Sequence, residues 1–187
     1  MDPSHQKSVY SDSELLEIYS RENESGFRLI VEKYTERLYW HIRKILISHE
    51  DTDDVLQNTF LKVWNGLGSF RQKSGLFTWL YRIATNEALS FLNQKKRRSL
   101  ISFEGGVEKQ LSGSLDADEY FDGDELQLKL QKALLTLPEK QRLVFNMKYF
   151  DEIKYEDMAE ILGTSVGALK ASYHHAIRKI EKYILEN

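Results

Sequence analysis

The sequence predicts an all-α fold: two small helical domains joined by a flexible acidic linker, the C-terminal domain a helix-turn-helix. Three observations carry that expectation. Apolar residues recur at three- and four-residue intervals over most of the chain, the spacing of a buried helix face. Only ten glycines and two prolines occur in 187 residues, too few for the tight turns of a sandwich or barrel. Between residues 99 and 125 the periodicity breaks and the charge balance turns acidic.

The elements follow in order. Residues 11–25 suggest a short helix around Leu15, Leu16 and Ile18. Residues 27–46 place Phe27, Ile30, Val31, Tyr34, Leu38, Ile42, Ile45 and Leu46 on one helical face. Thr52 reads as the N-cap of the next helix, with Asp53 and Asp54 in the first turn, where the helix dipole favours anions. Its apolar stripe runs Val55, Leu56, Phe60, Val63 and Trp64, and Gly66 stops it. A third long helix from about Leu76 to Arg98 buries Leu76, Phe77, Leu80, Ile83, Ala84, Ala88, Phe91 and Leu92 and closes on a basic cluster.

Residues 99–125 are too acidic and too poor in apolar side chains to build a core, and Gly105-Gly106 and Ser112-Gly113-Ser114 are linker-like. Beyond them, residues 126–136 form a helix and Pro138 opens the next as its N1 residue, running to about Phe150. Residues 154–162 and 165–185 form a short helix and a long one joined by Gly163-Thr164. The domain boundaries are therefore 1–98, 99–125 for the linker, and 126–187.

Charge and composition narrow the function. Residues 1–98 carry 15 Lys/Arg and 13 Asp/Glu, residues 99–125 one base and eight acids, and residues 126–187 ten bases and eight acids. The overall −3 thus conceals two mildly basic blocks, and it does not argue against nucleic-acid binding. The absence of cysteine excludes a disulfide scaffold, a thiolate metal site and a cysteine nucleophile. No apolar run approaches the roughly 20 residues of a membrane span, and the N-terminus has no signal-peptide core. The expectation is a soluble cytoplasmic protein with no direct membrane insertion.

The strongest local signal is YEDMAEILGTSVGALKASYHHAIRKI, residues 155–180. Ala159, Gly163 and Leu169 have the spacing of a helix-turn-helix: a small contact residue, a glycine for the left-handed turn, and an apolar anchor. Ser165 can cap the second helix, leaving Lys170, Ser172, His174, His175 and Arg178 as polar groups for a groove. A helical hairpin with a glycine C-cap is the plainer alternative. A second constellation joins Phe70, Arg71, Lys73, Phe77, Trp79, Tyr81 and Arg82 to Asn86, one turn beyond Arg82. Aromatic faces stack unpaired bases, cations hold phosphates, and an amide reads a base edge. Here the competing reading is plain core.

Catalytic chemistry has no foothold. Asp51, Asp53 and Asp54 are better explained as helix-start residues. His174 and His175 are adjacent, about 100° apart around a helix, and cannot chelate a metal as an i, i+4 pair does. There is no nucleophile elbow and no glycine-rich phosphate loop, so no enzyme activity, cofactor, metal or small-molecule substrate is expected.

With these residues in view, DVLQNTFLKVWNGLGSFRQKSGLFTWLYRIATNEALSFLNQKKRR followed by LPEKQRLVFNMKYFDEIKYEDMAEILGTSVGALKASYHHAIRKI resembles a bacterial RNA polymerase sigma factor of the extracytoplasmic-function group. The resemblance spans residues 23–98 and 126–183. It implies that the segment around Asp53, Asp54, Gln57, Asn58 and Phe60 docks on core RNA polymerase, Asn58 standing where the family often has glutamate. It implies that Lys62, Phe70, Arg71, Arg82 and Asn86 hold the melted minus-ten strand, with residues 70–75 as a specificity loop. It further implies that Ser165, Lys170, Ser172, His174, His175 and Arg178 face the minus-thirty-five duplex, Ser172 and His175 replacing arginines of many relatives. The partners implied are core polymerase, promoter DNA and an anti-sigma factor. The alternative is a one-component helix-turn-helix regulator, which predicts a ligand pocket in residues 1–98 and dimeric half-site binding.

Overall fold

The computed structural model describes residues 10–101 and 125–186, and all regular structure among them is helical. In chain order the helices are α1 (Asp12–Arg21), α2 (Asn23–Leu46), α3 (His49–Leu67), α4 (Leu76–Ile101), α5 (Glu125–Leu135), α6 (Glu139–Tyr149), α7 (Tyr155–Leu162) and α8 (Val166–Glu186). Most of the expected linker, residues 102–124, lies outside the described residues.

Helix α1 starts at a capping box, in which the Ser11 hydroxyl accepts from the Glu14 amide and the Glu14 carboxylate accepts from the Ser11 amide. It is fastened to α2 through Asp12, whose carboxylate accepts from the Tyr34 hydroxyl at 2.7 and 2.8 Å and from Lys33 at 2.7 Å. Burial, and then the hydrogen bond to Asp12, push the Tyr34 phenol well above its ordinary range. The two helices approach so closely at Gly26 that a Cβ there would lie 2.2 Å from the Tyr19 Cα. Helix α2 then buries Ile30, Tyr34, Leu38, Ile42 and Ile45 against α1, α3 and α4. It ends at Ile47, a β-branched residue held at φ 66° with its side chain buried.

Helix α3 corrects the sequence expectation at both ends. Its N-cap is Ser48, whose hydroxyl accepts from the Asp51 amide at 3.3 Å. Thr52 lies inside the helix, fully buried, and donates to the Ser48 carbonyl at 2.7 Å. The first-turn acids are therefore Glu50 and Asp51, not Asp53 and Asp54. Gly66 does not stop the helix, which continues to Leu67 and ends at Gly68. Gly66 instead gives room to Trp79, whose ring would stand 3.1 Å from a Cβ at that position. Trp64, expected in the buried stripe, is 39 % exposed and packs edge-on against Phe27. Helix α4 runs three residues past the expected boundary at Arg98.

In the second block Pro138 is the N-cap of α6, with ψ 138°, rather than its first helical residue. Its carbonyl accepts from the amides of Gln141 and Arg142, so the ring's missing N–H costs nothing there. Leu137, Leu134 and Ala133 pack with Phe145 of α6 and with Ala176 and Ile180 of α8. Gly163, at φ 60°, makes the left-handed turn between α7 and α8, and Leu169 is buried as the anchor.

The two blocks touch. Helix α4 packs along α7 and the end of α2 meets α6. Leu143, Val144 and Met147 of α6, Ile153 of the following loop and Met158 of α7 join the same apolar cluster as the core of α1–α4. Asp151, after α6, accepts from Lys44 and from His41 Nδ1 at 2.8 Å, while His41 Nε2 lies 2.9 Å from the Thr85 hydroxyl. Burial would raise the Asp151 carboxyl, but the His41 hydrogen bond and the charges of His41 and Lys44 hold it below the ordinary carboxylate range. The Tyr81 phenol beside it is pushed up to about 12 by burial and by the Asp151 charge.

Gly26→Ala should destabilise the chain by about 1–3 kcal/mol in urea unfolding, because a backbone atom rather than a flexible side chain occupies the space. Gly75→Ala, with nothing within 4 Å of the new Cβ, should stay within about 0.5 kcal/mol of the parent. Equal stability of the two variants would show that α1 can slide on α2.

Candidate nucleic-acid interface

Helix α4 divides the aromatic and basic constellation between two faces. Phe77 and Tyr81 turn inward with ring centroids 4.3 Å apart, and the Arg37 guanidinium of α2 lies over Phe77 at 5.0 Å. Tyr81 is core, and Phe77 is half-buried against it. Phe70 and Trp79 pair separately, 4.8 Å apart, where the 70–75 loop meets the start of α4. Phe70 is half-buried, whereas Arg71, Gln72 and Lys73 are exposed, and Gln72 holds a left-handed φ of 52°.

Asn86 projects from the exposed side of α4 with its amide in solvent. Next to it in the chain, Glu87 forms an ion pair with Lys62 of α3. Lys62 is thereby held at the residue that follows Asn86 in the chain. Arg82 is engaged elsewhere. Its guanidinium turns to Glu160 of α7, 4.0 Å away, and its buried Nε has no hydrogen-bond partner.

On α3, Asp53, Asp54, Gln57 and Asn58 form an exposed polar stripe. Asp53 stands 3.6 Å from the His49 ring, one turn earlier on the same helix. Phe60 is half-buried, 6.5 Å from Phe27 in an edge-on contact. The stripe continues into Leu61, 55 % exposed, and Trp64, residues that the apolar periodicity either passed over or assigned to the core. An isolated leucine out of step with the buried stripe is the signal that marks such a position.

The helix-turn-helix presents α8. Ser165 is its cap, accepting from the Ala168 amide at 3.2 Å. Leu169, Ala176 and Ile180 are buried, and Tyr173 stacks on Phe145 at 5.7 Å. Burial raises the Tyr173 phenol. His174, His175 and Arg178 are exposed on the opposite face, the two imidazoles 6.1 Å apart. Lys170 leans back over the Tyr155 ring at 5.7 Å, and Ser172 is half-buried on the flank. The outer surface of the first turns is built from Gly167, Ala168 and Ala171, all exposed and all small, a feature the search for polar groups passed over. That surface lets a helix backbone come close to the floor of a groove.

Among the described residues, no group of His, Asp or Glu is arranged to hold a metal ion. None of the described helices is long and apolar enough to cross a membrane.

Comparison with known proteins matches residues 30–98 to the family described as Sigma-70 region 2 and residues 127–180 to Sigma-70, region 4. The chain is similar to the RNA polymerase sigma-H factor of Pseudomonas aeruginosa, 29 % identical over 91 % of this chain and 92 % of the relative. It is equally similar to the ECF RNA polymerase sigma-E factor of Escherichia coli K12, 29 % identical over 93 % of this chain and 94 % of the relative. Among solved structures, CnrH in complex with the cytosolic domain of CnrY superposes with a TM-score of 0.67 at 22 % identity, covering 94 % of this chain and 98 % of that one. The sigma factor RpoE in complex with the anti-sigma factor NepR from Bartonella quintana gives 0.66 at 23 % identity, covering 84 % and 96 %.

Ser165→Ala should cost about 1 kcal/mol of stability by loss of the α8 cap, measured by chemical unfolding. Ser165→Asp should restore most of it, since a carboxylate caps as well as a hydroxyl. An unchanged midpoint in the alanine variant would mean that water replaces the cap.

Proposed function

Because the chain belongs to the sigma-70 family, in its extracytoplasmic-function group, we propose a division of labour among the surfaces of a factor that directs RNA polymerase to promoters. Residues 1–98 bind core polymerase and capture the melted minus-ten strand. Residues 126–187 read the minus-thirty-five duplex, and residues 99–125 connect the two. The observation that carries this reading is the occurrence of both family regions, in order, on one chain.

The α3 stripe of Asp53, Asp54, Gln57 and Asn58, extended by Leu61 and Trp64, is the face offered to core polymerase. Its mixture of acids and exposed apolar groups suits a protein partner better than a polyanion. Lys62 and Asn86 meet the strand, the cation at a phosphate and the amide at a base edge, with Phe70 and Arg71 of the preceding loop, and with Arg82 once it leaves Glu160. On α8, Arg178 and Lys170 hold phosphates, Ser165, His174, His175 and Ser172 line the groove, and Ala168 and Ala171 offer methyl groups to thymine. The factor works in the cytoplasm as a non-catalytic subunit without a cofactor, and an anti-sigma factor is its regulator. The solved relative RpoE, held by the anti-sigma factor NepR, supports that last assignment.

In vitro transcription with core polymerase over a promoter library tests the reading directly. Core plus this chain should start transcription at a defined promoter class, and absence of any specific start would refute it. Asn86→Ala should impair open-complex formation more than closed-complex binding, by about 1–3 kcal/mol. Equal loss in both complexes would make Asn86 structural. Arg178→Ala should weaken all minus-thirty-five sequences alike and reduce the salt slope by ~1. His175→Ala should reorder the sequences instead, and the opposite pattern would exchange the two roles.

A further inference from the structure

A phosphate carries no sequence, so an unopposed cation on a strand-binding face adds the same affinity for every strand. The middle of α4 carries no such cation. Glu87 is the only charged residue between Arg82 and Lys95, and it directly follows Asn86. The exposed side chains of that stretch, Asn86, Ser90, Asn93 and Gln94, are all uncharged. An acid on the helix assigned to a polyanion calls for a physical account.

The ion pair with Lys62 supplies it. The Glu87 side chain is 18 % exposed and the Lys62 side chain 60 %, so the carboxylate is sunk between α3 and α4 while the ammonium points outward. An ammonium has three protons to donate, and Glu87 Oε1 accepts one of them. A phosphate can therefore approach Lys62 without breaking the pair, but it meets the carboxylate's charge just behind the ammonium. Attraction and repulsion largely cancel there. Lys95 is balanced across the same two helices by Asp51, at 2.6 Å. The exposed cations nearby are Arg71 and Lys73, in the loop before α4.

We propose that Glu87 sets the threshold of strand capture: by cancelling the charge of Lys62 it withholds sequence-independent phosphate affinity, so that a strand is retained only when a base edge also satisfies Asn86. Glu87 acts through Lys62 and is a positioning residue. A match at the base is then decisive, because the phosphate contact beside it does not compensate for a mismatch. The inference rests on the sigma-factor reading for the identity of the strand, while the ion pair itself does not.

The test uses the full chain bound to core polymerase. The probes are a dye-labelled single strand carrying the minus-ten sequence of a promoter started in the library, and its scrambled counterpart. Glu87→Gln keeps the shape and an acceptor for Lys62 but removes the charge. It should tighten both oligonucleotides about fivefold at low salt and steepen the dependence on salt by ~0.7. It should also raise initiation at promoters mismatched in the minus-ten element. Lys62→Met with Glu87→Gln, which removes both charges, should bind within about twofold of the parent. Glu87→Asp, which keeps the charge, should bind as the parent does. Unchanged or weaker binding by Glu87→Gln would overturn the threshold. A gain that persists in full in the double variant, or a double variant far weaker than the parent, would overturn the balance with Lys62. A parent that binds neither oligonucleotide would strike the sigma-factor reading instead, and with it the identity of the strand.

Discussion

A 24-residue helix with one side fully buried needs more than one neighbour to cover it, and α2 has four. Its stripe from Ile30 to Ile45 is covered in turn by α1, by α3 and α4, and near its C-terminal end by α6. Burying that stripe removes several large aliphatic side chains from water, each contributing roughly 1.5–3 kcal/mol before conformational entropy is charged against it. The other helices take their angles from this contact. Gly26 sets how near α1 can lie, and His41 and Lys44, near the end of α2, set where the second block meets the first.

The charges follow from that packing. Side chains on the inner faces of α3 and α4 are committed to the core, so polar groups of those helices are forced onto faces that remain exposed. Lys62 reaches Glu87 because α3 and α4 pack side by side. Arg82 is on the same side of α4 but is drawn off by Glu160, so one helix face holds both an available amide and an engaged cation. The helix-turn-helix shows the same partition, with Tyr173 committed to Phe145 while its neighbour His174 is free to meet solvent.

The helices were legible because each carries a clear 3.6-residue stripe, and the turn at Gly163 because only glycine sits comfortably at φ 60°. The start of α3 was misread because Thr52 has the chemistry of a cap, while Ser48 four residues earlier has it too and precedes the first acidic turn. Trp64 was misassigned because periodicity cannot tell a ring lying across a neighbour from one buried beneath it. Asn86 and Arg178 project into solvent as the sequence reading requires of binding residues, but the lean of Lys170 onto Tyr155 is a tertiary contact that spacing does not encode. The seam between the two blocks was wholly invisible. Asp151 and His41 are separated by 110 positions, and neither lies in a motif.

The two sides of α8 have consequences on an evolutionary scale. Leu169, Tyr173, Ala176 and Ile180 hold the helix to its scaffold, whereas Gly167, Ala171, His174 and Arg178 contribute little to that attachment. Under the proposed promoter reading, substitutions on the outer set are filtered by which genes they switch on, and those on the inner set by whether the protein folds. A duplicated copy can therefore acquire a new regulon in a few steps without passing through an unfolded ancestor.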